Sequence, residues 1–417
     1  MKTQLLDLIL RLRRQFNSLS PRGLNRPSHR CRLPPAGMML AALCPAAALC
    51  SIAAEQAAAG ASAVAVSPQD PRIKYSGCVR LEFVSPSDGA PASAARFDRI
   101  LDIPGKGYRW DNPGARIRFR TDAAVLEALL HYSELHISTT GRNGTGLYTI
   151  DGISKPEWRF QTGTRQIRRE PGRVTVVLAD GEPRGFREYE LILPYGDSVD
   201  FLGLRVNPEA RFEPPAPKPS VRCLAYGDSV THGFSASDIS KTYPFLLGAR
   251  KNWEIVNLGL GGRASNPGDG KIFARLEPAL ITILMGVNDW QGGVPPERYR
   301  ANMRGLLANA RAGLPQVPIY LITPLWVAPS WLPHAPPLDG YRQVLRDLVA
   351  ELRDPDLHLI EGPELIDHDP RYFDPAAAVH PNDEGFAMMA GRLARLLKDV
   401  APPLGGTPPV QGIAPIY

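Results

Sequence analysis

The chain changes rhythm across residues 211–220, RFEPPAPKPS, and what lies on either side follows two different periodicities. Four prolines in those ten positions fix φ and remove backbone donors, so the segment reads as a stiff extended linker between domains. Before it, from about Arg72 to Val206, come short alternating runs such as RIRFRT, ELHISTT, GLYTID, VTVVLAD and REYELILP, separated by Gly, Pro, Asn and Asp. Alternation places successive side chains on opposite faces of a strand. Many such strands with turn residues between them predict a β-sandwich over residues 66–210. After the linker, apolar strand-length runs alternate with helix-length amphipathic ones: VRCLAYGDS, TYPFLLGARK, EIVNLGLGG, LITILMG, ERYRANMRGLLANARA and so on to EGFAMMAGRLARLLKDV. Strand and helix in turn predict an α/β domain over residues 221–402, with a mostly parallel sheet covered on both faces. In such sheets ligands bind beyond the carboxyl ends of the strands, so chemistry is sought where each strand stops.

Residues 1–65 have a composition of their own. The net charge of +6 is concentrated there: Lys2 and seven arginines stand against only Asp7 and Glu55, which leaves the rest of the chain close to neutral. Without a basic stripe there is no electrostatic footprint for a phosphate backbone, and nucleic acid is excluded as a partner. The arginines are followed by a small apolar run, Met38 to Ala54, and then by AAAGASAVA. That is the order of a secretory signal peptide, which predicts an exported protein, periplasmic or secreted. The run is short for a spanning helix of ~20 residues and is broken by Pro45, so no stable membrane span is expected in the mature chain. Loss of this leader leaves only Cys78 and Cys223, too few for a disulfide framework; Cys223, inside VRCLAY, reads as a small buried apolar residue. Residues 403–417, rich in Pro and Gly, read as an extended tail.

The first strand after the linker ends in YGDSVTHGF, residues 226–234. A serine hydroxyl becomes a useful nucleophile when a strand-to-helix turn exposes it beside a base, and Ser229 has that position. Gly227 and Gly233 give the backbone freedom on either side. A second Gly-Asp-Ser triplet ends at Ser198, between REYELILP and FLGLRV, and there it reads as the tip of a hairpin. The next strand closes into NLGLGGR, residues 257–263, and a later one into GVNDW, residues 286–290. Ester cleavage develops negative charge on the carbonyl oxygen, and fixed donors must face that oxygen. The backbone N–H groups of Gly262 and Ser229 and the amide of Asn288 suit that role. VHPNDEGF, residues 379–386, places His380 directly before the last amphipathic helix, where an imidazole can take the serine proton and return it to the leaving alcohol. His232 reads as a loop-shaping or substrate-rim residue. Trp290 and Trp326 each follow a strand end and are candidates for stacking on a sugar ring, or for plain packing. No His, Cys, Asp or Glu cluster has metal-ligand spacing, and NLGLGGR does not fit a dinucleotide fingerprint, so no cofactor and no metal are expected.

These four segments in this order resemble the SGNH hydrolase family, whose blocks contribute Ser, Gly, Asn and His; the matching positions are Ser229, Gly262, Asn288 and His380. The resemblance covers roughly residues 221–400 and implies a three-layer α/β/α, flavodoxin-like fold. GTGLYTIDG, residues 144–152, resembles a Gly-x-Asp-Leu-Tyr motif of the jelly-roll-like domain that precedes the catalytic domain in some members, with Gly146 in place of the aspartate. The two-domain layout is similar to family 2 carbohydrate esterases, among them acetylxylan esterases. The family usually carries Asp three residues before the histidine, where Ala377 stands here; Asp374, six residues before His380, is the nearest acid. Some two-domain members work as Ser-His dyads in which a backbone carbonyl replaces the acid. The resemblance implies hydrolysis of a small acyl ester, an acetyl group on a carbohydrate, through an acyl-enzyme on Ser229. A lipid esterase, a thioesterase or an acyltransferase would use the same residues, and a glycan-binding protein with a decayed site is the reading from outside enzymes.

Overall fold

Among the described residues, the alternating runs before residue 211, joined by one strand of the proline-rich segment, form two antiparallel sheets of six strands each. One holds Val64–Val66, Arg80–Val84, Ala94–Asp98, Val125–Leu135, Gly172–Asp180 and Asp197–Val206; the other holds Lys74–Ser76, Arg116–Thr121, Gly146–Ile150, Arg159–Phe160, Arg187–Ile192 and Phe212–Glu213. In this computed structural model the described residues are 63–400, apart from 86–92, 105, 136–143, 155–158, 161–171, 182–184, 218–220 and 329–336. Nearly all of the predicted leader and the whole 403–417 tail therefore lie outside the described residues. Phe97, Leu130 and Phe201 of the first sheet and Ile117, Phe119 and Leu191 of the second are buried in one shared core. Burying each such side chain stabilises the fold by about 1.5–3 kcal/mol.

One expectation changes here. Ser198 is not at a hairpin tip: Arg187–Ile192 and Asp197–Val206 belong to different sheets, so the turn between them is a crossover. Ser198 itself lies within the second strand, opposite Glu134, and is fully buried. Over its described part the proline-rich segment runs along the second sheet. Phe212–Glu213 adds an edge strand beside Thr121 and Arg120, and the Arg118 guanidinium donates to the Ala216 carbonyl at 2.9 Å. An edge strand tolerates the prolines that follow because one side of its backbone needs no partner.

Beyond residue 220 the expected strand and helix alternation appears. β1 (Val221–Gly227), β2 (Trp253–Gly259), β3 (Leu280–Leu284), β4 (Ile319–Ile322) and β5 (Leu357–Ile360) form a parallel sheet in the order 2-1-3-4-5, the flavodoxin-like order. Every residue of β1 is buried, as a strand covered on both faces must be. Besides a single turn at Gly270–Phe273, the α-helices among the described residues are α1 (Ser229–His232), α2 (Tyr243–Lys251), α3 (Val287–Gln291), α4 (Pro296–Gly313), α5 (Leu338–Leu352) and α6 (Asp383–Leu396). Tyr299, Met303, Leu306, Leu307 and Ala310 make one stripe of α4 at helical spacing; with α5 it covers the face that carries Leu224, Tyr226, Ile281 and Leu321. Helices α2 and α6 cover the opposite face, with Cys223, Tyr320 and Ile322. Cys223 is a free, buried thiol whose pKa burial raises, in keeping with a packing role.

The described residues belong to one compact unit. Val79, Leu101 and Tyr108 from the sheet-rich region join the core on one face of the parallel sheet, and Leu147, Ile192 and Tyr195 join it on the other. Leu147 belongs to the GTGLY segment, whose next residue, Tyr148, points the other way into the core between the two antiparallel sheets.

Candidate active site

Strand β1 delivers the nucleophile. It ends at Gly227, where a Cβ would lie 2.1 Å from Thr231 Oγ1 and 2.7 Å from the Leu284 carbonyl oxygen, so only glycine lets α1 fold back against the strand end. Asp228 caps α1, its carboxylate accepting from the Val230 N–H at 2.9 Å. Burial pushes that carboxyl up to about 7. Gly233 closes the turn at φ +115°, a conformation that favours glycine. Ser229 thus stands first in α1 at the carboxyl end of β1, and its Oγ lies 2.7 Å from His380 Nε2.

His380 comes from the other end of the domain. It sits on the short strand Ala377–Pro381, which pairs with Phe373–Asp374, and the next residue but one, Asn382, caps α6 by accepting from the Glu384 and Gly385 N–H groups. Burial pushes its imidazole pKa down to about 4, against the opposing pull of the Asp374 charge. It is therefore neutral at pH 7 and able to accept a proton from the serine. Asp374 spends its carboxylate on its own turn, Oδ1 accepting from the Ala376 N–H at 2.8 Å. Among the described residues His380 Nδ1 has no hydrogen-bond partner.

The other two predicted positions lie at neighbouring strand ends. The loop after β2 begins with the Leu260 N–H donating to the Gly227 carbonyl at 3.0 Å, which ties it to the nucleophile turn. Gly262 follows at φ +80°, exposed. The turn after β3 passes Gly286 and brings in Asn288, half-buried, whose Nδ2 donates to the Arg263 carbonyl at 3.1 Å. Asp289 next to it accepts from the Ser265 N–H and Oγ, so the two loops are fastened to each other twice. Arg263 is itself held by a buried pair with Asp269, whose Oδ2 also accepts from the Tyr226 phenol O–H at 2.7 Å. Such fixed donors lose little on reorganisation when charge develops in front of them.

The remaining candidates divide. Trp290 is only 2% exposed and packs in the core beneath the sheet, so it presents no face to a sugar; that expectation is corrected by burial. Trp326 is partly exposed, stacked on His368 with ring centroids 5.4 Å apart and packed against Phe373. His232 shapes the loop and is not at a rim: it is fully buried, with Nε2 2.5 Å from Asp111 Oδ2 and Nδ1 accepting from the Gly261 N–H at 3.2 Å. Asp111 and Lys106 escaped the sequence reading. Both come from the sheet-rich region, and Lys106 Nζ lies 3.6 Å from where a Cβ on Gly262 would stand. Neither sits in a motif, and nothing local marks them. Among the described residues no group of three or more His, Cys, Asp or Glu is placed to hold a metal ion.

Residues 225–388 match the model of the GDSL-like Lipase/Acylhydrolase family. Solved structures similar to the chain include the salicylyl-acyltransferase SsfX3 of a tetracycline biosynthetic pathway, 22% identical with a TM-score of 0.62 over 79% of this chain and 95% of that one. A putative GDSL-like lipase from Bacteroides ovatus is 18% identical at 0.61, over 79% of this chain and all of that one. A family two carbohydrate esterase from Cellvibrio japonicus is 17% identical at 0.58, over 80% and 97%. These likenesses extend past residues 225–388 into the sheet-rich region and concern the fold. No curated protein matches the sequence.

Proposed function

We propose that the protein is a serine esterase that removes a small acyl group, an acetyl, from a carbohydrate. The observation that carries this reading is the 2.7 Å contact of Ser229 Oγ with the neutral His380 Nε2 at the carboxyl end of β1. Ser229 Oγ attacks the ester carbonyl as its proton passes to His380. The carbonyl oxygen, now an anion, faces the N–H groups of Ser229 and Gly262 and the Asn288 amide. Collapse breaks the ester C–O bond, and the leaving sugar hydroxyl takes the proton from His380. Water then repeats the sequence on the acyl-enzyme and releases the acid. With Asp374 engaged in its own turn, Ser229 and His380 act as a dyad. The sheet-rich region is a jelly-roll-like sandwich ending near residue 210, and the arginine-rich leader exports the chain. Among the described residues no helix is long and apolar enough to cross a membrane.

Transfer of the acyl group to a hydroxyl other than water is a second reading, favoured by the likeness to the salicylyl-acyltransferase. Purified protein assayed on 4-nitrophenyl esters of increasing chain length and on acetylated xylo-oligosaccharides tests both. Turnover of the acetates in water, falling with chain length, supports the esterase. Acyl-enzyme that forms but waits for an added alcohol supports the transferase, and no acylation of Ser229 at all would leave the glycan-binding reading.

A further inference from the structure

The oxyanion loop is fastened from outside the hydrolase domain. Asp111, Arg99 and His232 are each fully buried, and the first two belong to the sheet-rich region. Because the Gly261 N–H donates to His232 Nδ1, the imidazole proton is on Nε2 and is donated to Asp111 Oδ2 at 2.5 Å. The same carboxylate oxygen accepts from the Gly196 N–H at 2.9 Å. Arg99 Nη2 stands 4.0 Å from Asp111 Oδ1, and Arg99 Nη1 donates to the Gly259 carbonyl. The turn that carries Gly262 is therefore gripped at Gly259 and at Gly261, both times by a chain of contacts that leads to Asp111. The Tyr108 ring stands edge-on to His232 with centroids 5.2 Å apart, and Phe234 lies between His232 and His380, at 5.0 and 5.8 Å.

Burying an ion pair and an imidazole is costly and gives little net stability compared with apolar packing. What it supplies is direction, since a charge-assisted hydrogen bond fixes the imidazole plane and so the peptide in front of it. We propose that Asp111 is a positioning residue for the reaction, acting through His232 on the Gly261–Gly262 turn, and that the sheet-rich region is thereby part of the catalytic apparatus. The inference rests on the esterase reading, since it concerns the aim of the Gly262 N–H at the developing oxyanion.

The test uses the full chain, with active sites counted by fluorophosphonate labelling of Ser229 and kinetics on 4-nitrophenyl acetate well below the melting temperature. His232→Phe keeps a ring between Tyr108 and Phe234 while removing both nitrogen contacts, and it leaves Asp111 with Arg99 and Gly196. Its kcat per labelled site is expected to fall by ~10²-fold, the effect of disturbing one oxyanion donor, with KM changed less than about threefold. Asp111→Ala should behave alike, and Asp111→Asn, which keeps an acceptor for Nε2–H, should recover kcat to within about tenfold of wild type. Wild-type kcat per site in folded His232→Phe overturns the proposal, because a merely structural role would lower the melting temperature and leave kcat alone. Equal loss in Asp111→Asn and Asp111→Ala also overturns it. Ser229→Ala is assayed in parallel: turnover there would instead overturn the nucleophile assignment on which the inference rests.

Discussion

Replacing Asp374 by alanine separates a dyad from a triad. Asp374 touches the Ala376 N–H at 2.8 Å, and His380 Nδ1 has no partner among the described residues. The substitution then removes one local hydrogen bond, worth about 0.5–1.5 kcal/mol of stability, and a through-space charge. That charge raises the His380 pKa against the effect of burial, so losing it moves the acid limb of kcat/KM to lower pH and makes the imidazole a somewhat weaker base. A weaker base at unchanged geometry costs a few-fold, and kcat/KM at pH 7 should drop by no more than about tenfold. Loss of an orienting aspartate in a working triad costs on the order of 10⁴ in rate. The assay is kcat/KM for 4-nitrophenyl acetate from about pH 3 to 8, with circular dichroism and a thermal melt on the same samples. A thousandfold loss in a folded variant, or an acid limb that moves up, refutes the reasoning and means that Asp374 reaches the imidazole during turnover.

Ser229→Ala should abolish esterase activity, while Ser198→Ala, in a buried strand of the sheet-rich region, should leave kcat within a few-fold of wild type; steady-state assays of both variants decide it. Asn288→Ala should lower kcat by ~10²- to 10³-fold with a smaller change in KM, because its amide meets charge present only in the transition state; unchanged kcat would remove Asn288 from the oxyanion hole. In the pH profile of the wild type, the steep loss caused by protonation of the base should fall near the depressed His380 value of about 4 instead of 6.5, since the neutral imidazole persists until pH drops through its folded pKa. A milder inflection near 7 belongs to the buried Asp228, and Asp228→Asn should remove it while the lower limb stays.

The features legible in the sequence were those that neighbours along the chain decide. Period-two runs became the two antiparallel sheets, strand and helix alternation became the 2-1-3-4-5 sheet, and each motif fell at a strand end or before α6 as its flanking residues required. The pairing of Ser229 with His380 was legible too, although 151 residues separate them, because Ser229 ends a parallel strand, where chemistry gathers, and the order of the four segments marks His380 as its base. Ser198 was misplaced because Gly, Asp and Ser serve any turn alike, and only the assignment of its flanking strands to different sheets tells a crossover from a hairpin. The stacking role for Trp290 failed because a place at the end of a motif fixes where the backbone goes and not which way the side chain points. Asp111 and Lys106 left no trace at all. Asp111 meets His232 across 121 residues and between two regions of different architecture, and no local pattern records that contact. A buried polar pair of this kind is set by how two folded surfaces meet, where each unsatisfied group must find its partner in space, and the tertiary structure alone decides it.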